Sequence, residues 1–197
     1  RVRTWNFTDG CGNTSANFTQ TITVIDTQAP IILCPNNQSV DNNPGVCGAV
    51  VSFSATAKDG CGGDVALTYS HTSGSVFPIG VTEVTVTAED VCGNTSECKF
   101  TVTVKDNEAP VLTNQPADVI VGCNVDGTVP VSWTAPTASD NCPDVVLTCT
   151  HNPGDQFPIG ETEVTYTATD ANGNTAQCKF MVKRSAMPFT GFLPPID

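Results

Sequence analysis

Apolar and polar residues alternate with a period of two along most of this chain. In "TEVTVTA" (Thr82–Ala88) and "TEVTYTA" (Thr162–Ala168) every second residue from the valine onward is apolar or aromatic, and "KFTVTV" (Lys99–Val104) and "TQTITVI" (Thr19–Ile25) repeat the pattern. Successive side chains of a strand point to opposite faces, so alternation dominated by β-branched residues predicts strands with one buried face. No segment carries a helical stripe of useful length. Turn-forming clusters such as "NNPG", "DGCGG", "TSGS", "NPGD" and "NGN" separate the strands every ~8–12 residues, the spacing of a sandwich of short antiparallel strands.

The pattern also repeats on a longer scale. "FPIG" occurs at Phe77–Gly80 and Phe157–Gly160, and "TEVTVTAEDVCGNTSECKF" (Thr82–Phe100) runs in register with "TEVTYTATDANGNTAQCKF" (Thr162–Phe180). Upstream, "VSFSATAKDGCGG" matches "VSWTAPTASDNCP" with small slips at Gly and Pro. "WNFTDGCGNTSANF" (Trp5–Phe18) matches "VTAEDVCGNTSECK" (Val86–Lys99), so the chain opens inside a third copy. The expected division is a partial repeat over 1–25, full repeats over 26–105 and 106–184, and a proline-rich apolar tail over 185–197. About seven strands fit each full repeat. Because the first residue is Arg1, the chain reads as a processed or excised piece of a longer precursor.

Composition narrows the function. Eight Lys and Arg against twenty Asp and Glu give a formal net charge of −12, which repels nucleic acid and favours small cations. Ten cysteines in 197 residues indicate disulfides and an oxidising compartment, extracellular or at the cell surface. No run reaches the ~18–20 apolar residues of a membrane span. A phosphate loop, a GxSxG elbow and an HExxH helix are all absent from the sequence, so no enzyme is expected. His71 and His151, one per repeat, read as surface residues, and "CGNTSEC" lacks a second pair for zinc. Asn6, Asn13, Asn17, Asn37 and Asn94 head N-x-[ST] sequons and are candidate glycosylation sites.

Taken together, "DxxAP" at the start of a repeat, "DGC" or "DNC" in its middle, "FPIG" with "TEVTxTAxD", and the closing "GN…CxF" resemble the hyalin repeat, or HYR, family. The resemblance implies tandem immunoglobulin-like β-sandwiches of extracellular proteins, associated with adhesion and carrying no catalytic residues. Trp133 then reads as the tryptophan between the sheets, and Phe77 and Phe157 as core plugs. In that topology the middle loop and the turn before the last strand share one end, which favours Cys61–Cys98 and Cys142–Cys178. Cys34–Cys47 and Cys123–Cys149 would be the remaining pairs. Cys11 and Cys92 occupy equivalent positions and are left over; a rival scheme joins Cys61 to Cys92, and the sequence does not decide between them. The same topology brings Asp26, Asp59 and Asp90 to one junction, and Asp106, Glu108, Asp140 and Asp170 to the next. There they would hold calcium, or else cap local turns. The second repeat departs from the first at Asn114, in place of Cys34, and at Asn172, in place of Cys92.

A hairpin with an apolar face, as at 1–25, needs a partner sheet. If it comes from another copy, the contact is head-to-tail β-strand complementation and builds a cell-surface filament; otherwise the ends are cuts in a long array whose partners are neighbouring repeats. The reading is a non-catalytic structural or adhesive module. The alternative is a carbohydrate- or ligand-binding accessory module of a larger secreted protein.

Overall fold

The structure, a computed structural model, describes residues 1–122 and 127–186. Every regular element among them is a strand. β1 (Val2–Trp5) and β2 (Phe18–Thr21) form an N-terminal hairpin. The first repeat supplies β3 (Ile31–Leu33), β4 (Gln38–Asp41), β5 (Gly48–Val51), β6 (Thr56–Lys58), β7 (Ala66–Tyr69), β8 (Ser75–Pro78), β9 (Gly80–Glu89) and β10 (Thr95–Lys105). The second supplies β11 (Val111–Thr113), β12 (Val119–Val121), β13 (Val129–Pro130), β14 (Thr137–Ser139), β15 (Val146–Cys149), β16 (Gln156–Phe157), β17 (Gly160–Thr169) and β18 (Thr175–Arg184). The fold is all-β, two tandem immunoglobulin-like sandwiches in sequence.

Each repeat has eight strands where about seven are expected, because its first strand is split. β3 pairs antiparallel with β6, then the chain crosses at Cys34–Pro35 and continues as β4, parallel to β10. The second repeat does the same, with β11 on β14 and β12 parallel to β18. Asn37 Oδ1 accepts from Thr101 N at 2.9 Å, and Asp118 Oδ1 accepts from Met181 N at 2.9 Å, so a polar side chain steers each crossing strand onto its neighbour. The larger sheets have the order β4-β10-β9-β7 and β12-β18-β17-β15.

Contacts divide the chain into two compact units. One comprises Arg1–Asn37, Ser52–Ser75 and Glu83–Thr101; the other comprises Gln38–Val51, Val76–Thr82 and Val102–Asp197. The first repeat thus contributes to both, while the second lies in the latter. In the first unit Phe53 packs edge-on against Phe100 at 5.0 Å, and Tyr69 Oη accepts from Ala55 N at 3.0 Å. In the second unit Phe157, Val164, Tyr166, Phe180 and Val182 form a core with Leu112 and Val131. Trp133 stands edge-on to Phe157 and Phe180 and donates its Nε1 proton to Tyr166 Oη at 2.8 Å. Phe77 and Phe157 are buried, each worth about 1.5–3 kcal/mol in burial.

The cysteine pairing differs from the expectation. The bonds are Cys34–Cys98, with Cα atoms 6.0 Å apart, and Cys47–Cys142, at 4.8 Å. Cys61–Cys98, Cys142–Cys178 and Cys34–Cys47 are not formed, and Cys61 and Cys178 carry free thiols. The reason is the split first strand. Its crossing point runs beside β10, where Ser96 Oγ donates to Pro30 O at 2.6 Å, so Cys34 and not the middle loop meets Cys98. In the second repeat Asn114 replaces Cys34, and Cys178 is left as a buried thiol whose pKa burial pushes up. The Cys123–Cys149 pair lies outside the described residues through Cys123, as do residues 187–197 of the expected tail.

Candidate functional site

One turn, Asp-x-x-Gly-Asn, occurs three times, and it accounts for part of the carboxylate set. At Asp90 the Oδ1 atom accepts from Cys92 N at 2.8 Å and Asn94 N at 2.9 Å, while Oδ2 accepts from Asn94 Nδ2 at 2.8 Å. Asp170 makes the same bonds to Asn172 N and Asn174, and Asp9 makes them to Cys11 N and Asn13. The fourth residue, Gly93 or Gly173, sits at φ 87° or 92°, where a Cβ is strained. Asn94 Nδ2 also donates to Asp26 O at 3.3 Å, and Asn174 Nδ2 to Asp106 O at 3.2 Å, so the turn grips the incoming linker.

These bonds hold the Asp90 carboxyl below its ordinary value, the Asn94 side chain contributing most. At Asp170 burial pushes the pKa up, but the Asn174 side chain and the amides of Asn174, Asn172 and Gly173 together push it down further. Asp90 and Asp170 therefore spend their oxygens on the turn. The same holds for two of the sequon asparagines, Asn13 and Asn94, whose side-chain nitrogens donate to aspartates. Asn6, Asn17 and Asn37 are exposed.

The four remaining aspartates of the candidate set gather in two clusters. Asp26, Asp59 and Cys61 have ligand atoms within 4.8 Å of one another, and so do Asp106, Asp140 and Cys142. In each, the middle aspartate accepts from the amide of the cysteine two residues on: Cys61 N to Asp59 Oδ2 at 3.0 Å, Cys142 N to Asp140 Oδ1 at 2.9 Å. The Cys61 thiol donates to Asp26, and that bond with the nearby charges raises its pKa. Asp106 instead accepts from Asn172 Nδ2 at 3.0 Å, the sulfur of Cys142 being engaged with Cys47. Asp59 Oδ1 and Asn141 Oδ1 are buried and have no hydrogen-bond partner.

Glu108 does not join the second cluster. Its Oε1 accepts from Gly45 N at 2.8 Å and Asn42 Nδ2 at 3.1 Å, in the turn between β4 and β5. Asn141 Nδ2 donates to Val46 O in the same turn at 3.2 Å, one residue before the Cys47–Cys142 bond. A first-repeat turn is thus tied to the start and the middle loop of the second repeat by a disulfide, a carboxylate clamp and an amide. The sequence reading missed this site, although the one-per-chain "PGVC" turn facing a "DNC" loop was a signal for it.

The HYR domain model matches residues 25–104 and 105–184. The chain is 38% identical over 181 residues to the mouse "Sushi, von Willebrand factor type A, EGF and pentraxin domain-containing protein 1", covering 87% of this chain and 5% of that protein. It is 38% identical over 194 residues to hyalin of Strongylocentrotus purpuratus, covering 93% of this chain and 16% of that protein. Among solved structures it is similar to Drosophila N-cadherin EC1-4, with 16% identity and a TM-score of 0.39 over 81% of this chain and 50% of that one. It spans a small part of the relatives it matches in sequence. Disulfides persist in oxidising compartments, and the chain is extracellular. With two matches covering nearly the whole of its repeats, the chain belongs to the HYR domain family.

Proposed function

We propose that the chain is a non-catalytic structural and adhesive segment of an extracellular repeat array, passing load from repeat to repeat through covalent and polar ties. The observation that carries this reading is the Cys47–Cys142 bond with the Glu108 clamp beside it. A bond between a first-repeat turn and the middle loop of the second repeat restrains the handover itself. HYR membership agrees with an adhesion-type role. Beads coated with the chain should attach to a surface coated with the same chain, and attachment no greater than that of bare beads would overturn the adhesive part.

The exposed hairpin favours a finer reading, assembly of copies head to tail. Trp5, Phe7 and Phe18 are 54%, 72% and 69% exposed, whereas Val86 and Ala88, which match Trp5 and Phe7 in the first repeat, are fully buried. Trp5 and Phe7 match inner-face positions of a sandwich sheet, which suits a complementing sheet from another copy better than a sugar. Such a contact does not close on itself and so builds a filament. Sedimentation should show growth with concentration that Trp5→Ser reduces, while monomers at all concentrations would discard the filament.

Calcium is the cation this reading assigns to the paired carboxylates. Asp26 with Asp59, and Asp106 with Asp140, would hold it, and further oxygens would come from carbonyls or water. The unpartnered Asp59 Oδ1 and Asn141 Oδ1 fit a hard ion nearby. Bound, it would neutralise two close carboxylates in each cluster. A melting midpoint unchanged between calcium and EDTA would remove the ion from the account.

A further inference from the structure

Cys61 and Cys92 are exposed thiols of the first repeat, and three observations bring them together. The first is register. Ala66 pairs with Glu89 at the end of the β7–β9 ladder, so the loop before β7 and the turn after β9 leave the sheet side by side. A Cβ built at Gly63 would lie 3.5 Å from the Val91 side chain, between the two cysteines in sequence on each side.

The second is a shared neighbour. The Cys61 thiol donates to Asp26. In the second repeat Asn172, which stands where Cys92 does, donates to the matching aspartate, Asp106, at 3.0 Å, and that aspartate lies within 4.8 Å of the loop cysteine. Side chains at these two positions therefore converge on one linker carboxylate.

The third is the substitution pattern. Where the turn cysteine is lost, at Asn172, the loop cysteine Cys142 is bonded to Cys47 instead. Cys47 has no counterpart in the second repeat, where Gly127 stands at its position. Cys92 is to Cys61 what Cys47 is to Cys142.

We infer that Cys61 and Cys92 form a disulfide in the oxidised protein, closing the D-G-C loop onto the D-x-x-G-N turn of the first repeat. The co-reactant is a low-molecular-weight disulfide of the glutathione class. The Cys92 thiolate attacks it and expels one thiolate, and the Cys61 thiolate then attacks Cys92 Sγ and expels the second. Both cysteine sulfurs are oxidised, the co-reactant is reduced to two thiols, and the two cysteine protons end on those thiols. The bond removes the proton that Cys61 donates to Asp26. On the cation reading above, it leaves Asp26 and Asp59 as an all-oxygen pair like Asp106 and Asp140.

The test is disulfide mapping of the whole chain, refolded in a glutathione buffer, alkylated in acid without reduction and digested. The expected product is a linked peptide joining Cys61 to Cys92 that reduction separates. Alkylation of both cysteines, or a bond from either to any other cysteine, including one of a second copy, would overturn the inference. In Cys92→Ser, Cys61 should become open to alkylation while Cys34–Cys98 and Cys47–Cys142 persist; Cys61 remaining protected there would overturn it equally. Calcium-dependent melting is read separately, so a failure of the cation reading leaves this result standing.

Discussion

At residues 59–61 and again at 140–142 an aspartate accepts from the amide of a cysteine two residues on, and a linker aspartate comes within 4.8 Å of both. Around these matching loops the longer ties differ. The second loop meets a turn that offers Cys47 to Cys142, Val46 O to Asn141 and Gly45 N to Glu108. The first has Gly60 in place of Asn141, Gln28 in place of Glu108, and a Cys61 thiol that donates to Asp26. The loop conformation is set locally, by an aspartate capping amides within a few residues. The fate of the sulfur is set by what a distant segment supplies.

The largest expected effect comes from cutting the tie that one loop has. Cys142→Ser opens a closed segment with a separation of 95 residues and should cost roughly 4–5 kcal/mol by loop entropy, read as a lower denaturant midpoint under oxidising conditions. With the inferred partner, Cys61→Ser should cost somewhat less, about 3–4 kcal/mol, and nothing in reductant. A null effect of Cys142→Ser would mean that the long-range bond of the second loop adds no stability.

A second contrast lies between the two repeats. Cys34–Cys98 staples the first, while in the second Cys178 is a buried free thiol and Asn114 stands at the position of Cys34. Asn114→Cys should restore the bridge and add roughly 3 kcal/mol, a little below the entropic value because Asn114 sits at φ 56°, which costs a residue with a Cβ about 1 kcal/mol. Non-reducing mapping of that variant should then show the introduced thiol bonded to Cys178.

The polar clamp is smaller. Glu108→Ala removes charge-assisted hydrogen bonds to Gly45 N and Asn42 Nδ2 and should cost about 1–2 kcal/mol in urea unfolding, whereas Gln28→Ala, at the matching place in the first repeat, should cost about 0.5 or less.

The smallest effect concerns acid. Asp90 and Asp170 are held below the ordinary carboxyl value of 3.8 in the fold, so the stability they add is complete above that pH and is lost as pH falls through their lowered values. Unfolding curves should be flat from neutral pH to about 4 and weaken below it. Asp170→Asn should give a shallower acid limb than the native chain.

The repeats, the alternating strands and the buried Phe77 and Phe157 were legible because each is a local pattern or a copy of one. The disulfide partners were not. They depend on a strand that splits at Cys34–Pro35 and crosses to lie parallel to β10, and residue periodicity says nothing of which neighbour a strand will take. The carboxylates were found as a set but sorted only by the structure. Asp90 and Asp170 belong to turns, and the recurrence of Asp with Asn four residues on at Asp9, Asp90 and Asp170 was the signal that separates them from Asp26, Asp59, Asp106 and Asp140. Glu108 was read with the junction carboxylates as a cation ligand, and its oxygens go to the amide of Gly45 and the side chain of Asn42.

Stretching single molecules by their ends tests the central claim, that the handover between repeats is covalently bridged. With the bond intact, the shortest covalent path runs from Cys47 straight to Cys142, and the intervening residues add no length. Reduction should lengthen the fully extended chain by the 95-residue separation, about 33 nm at roughly 3.5 Å per residue. No gain would contradict the bridge, as would a gain of about 22 nm, which corresponds to the 64-residue separation of Cys34–Cys98 alone.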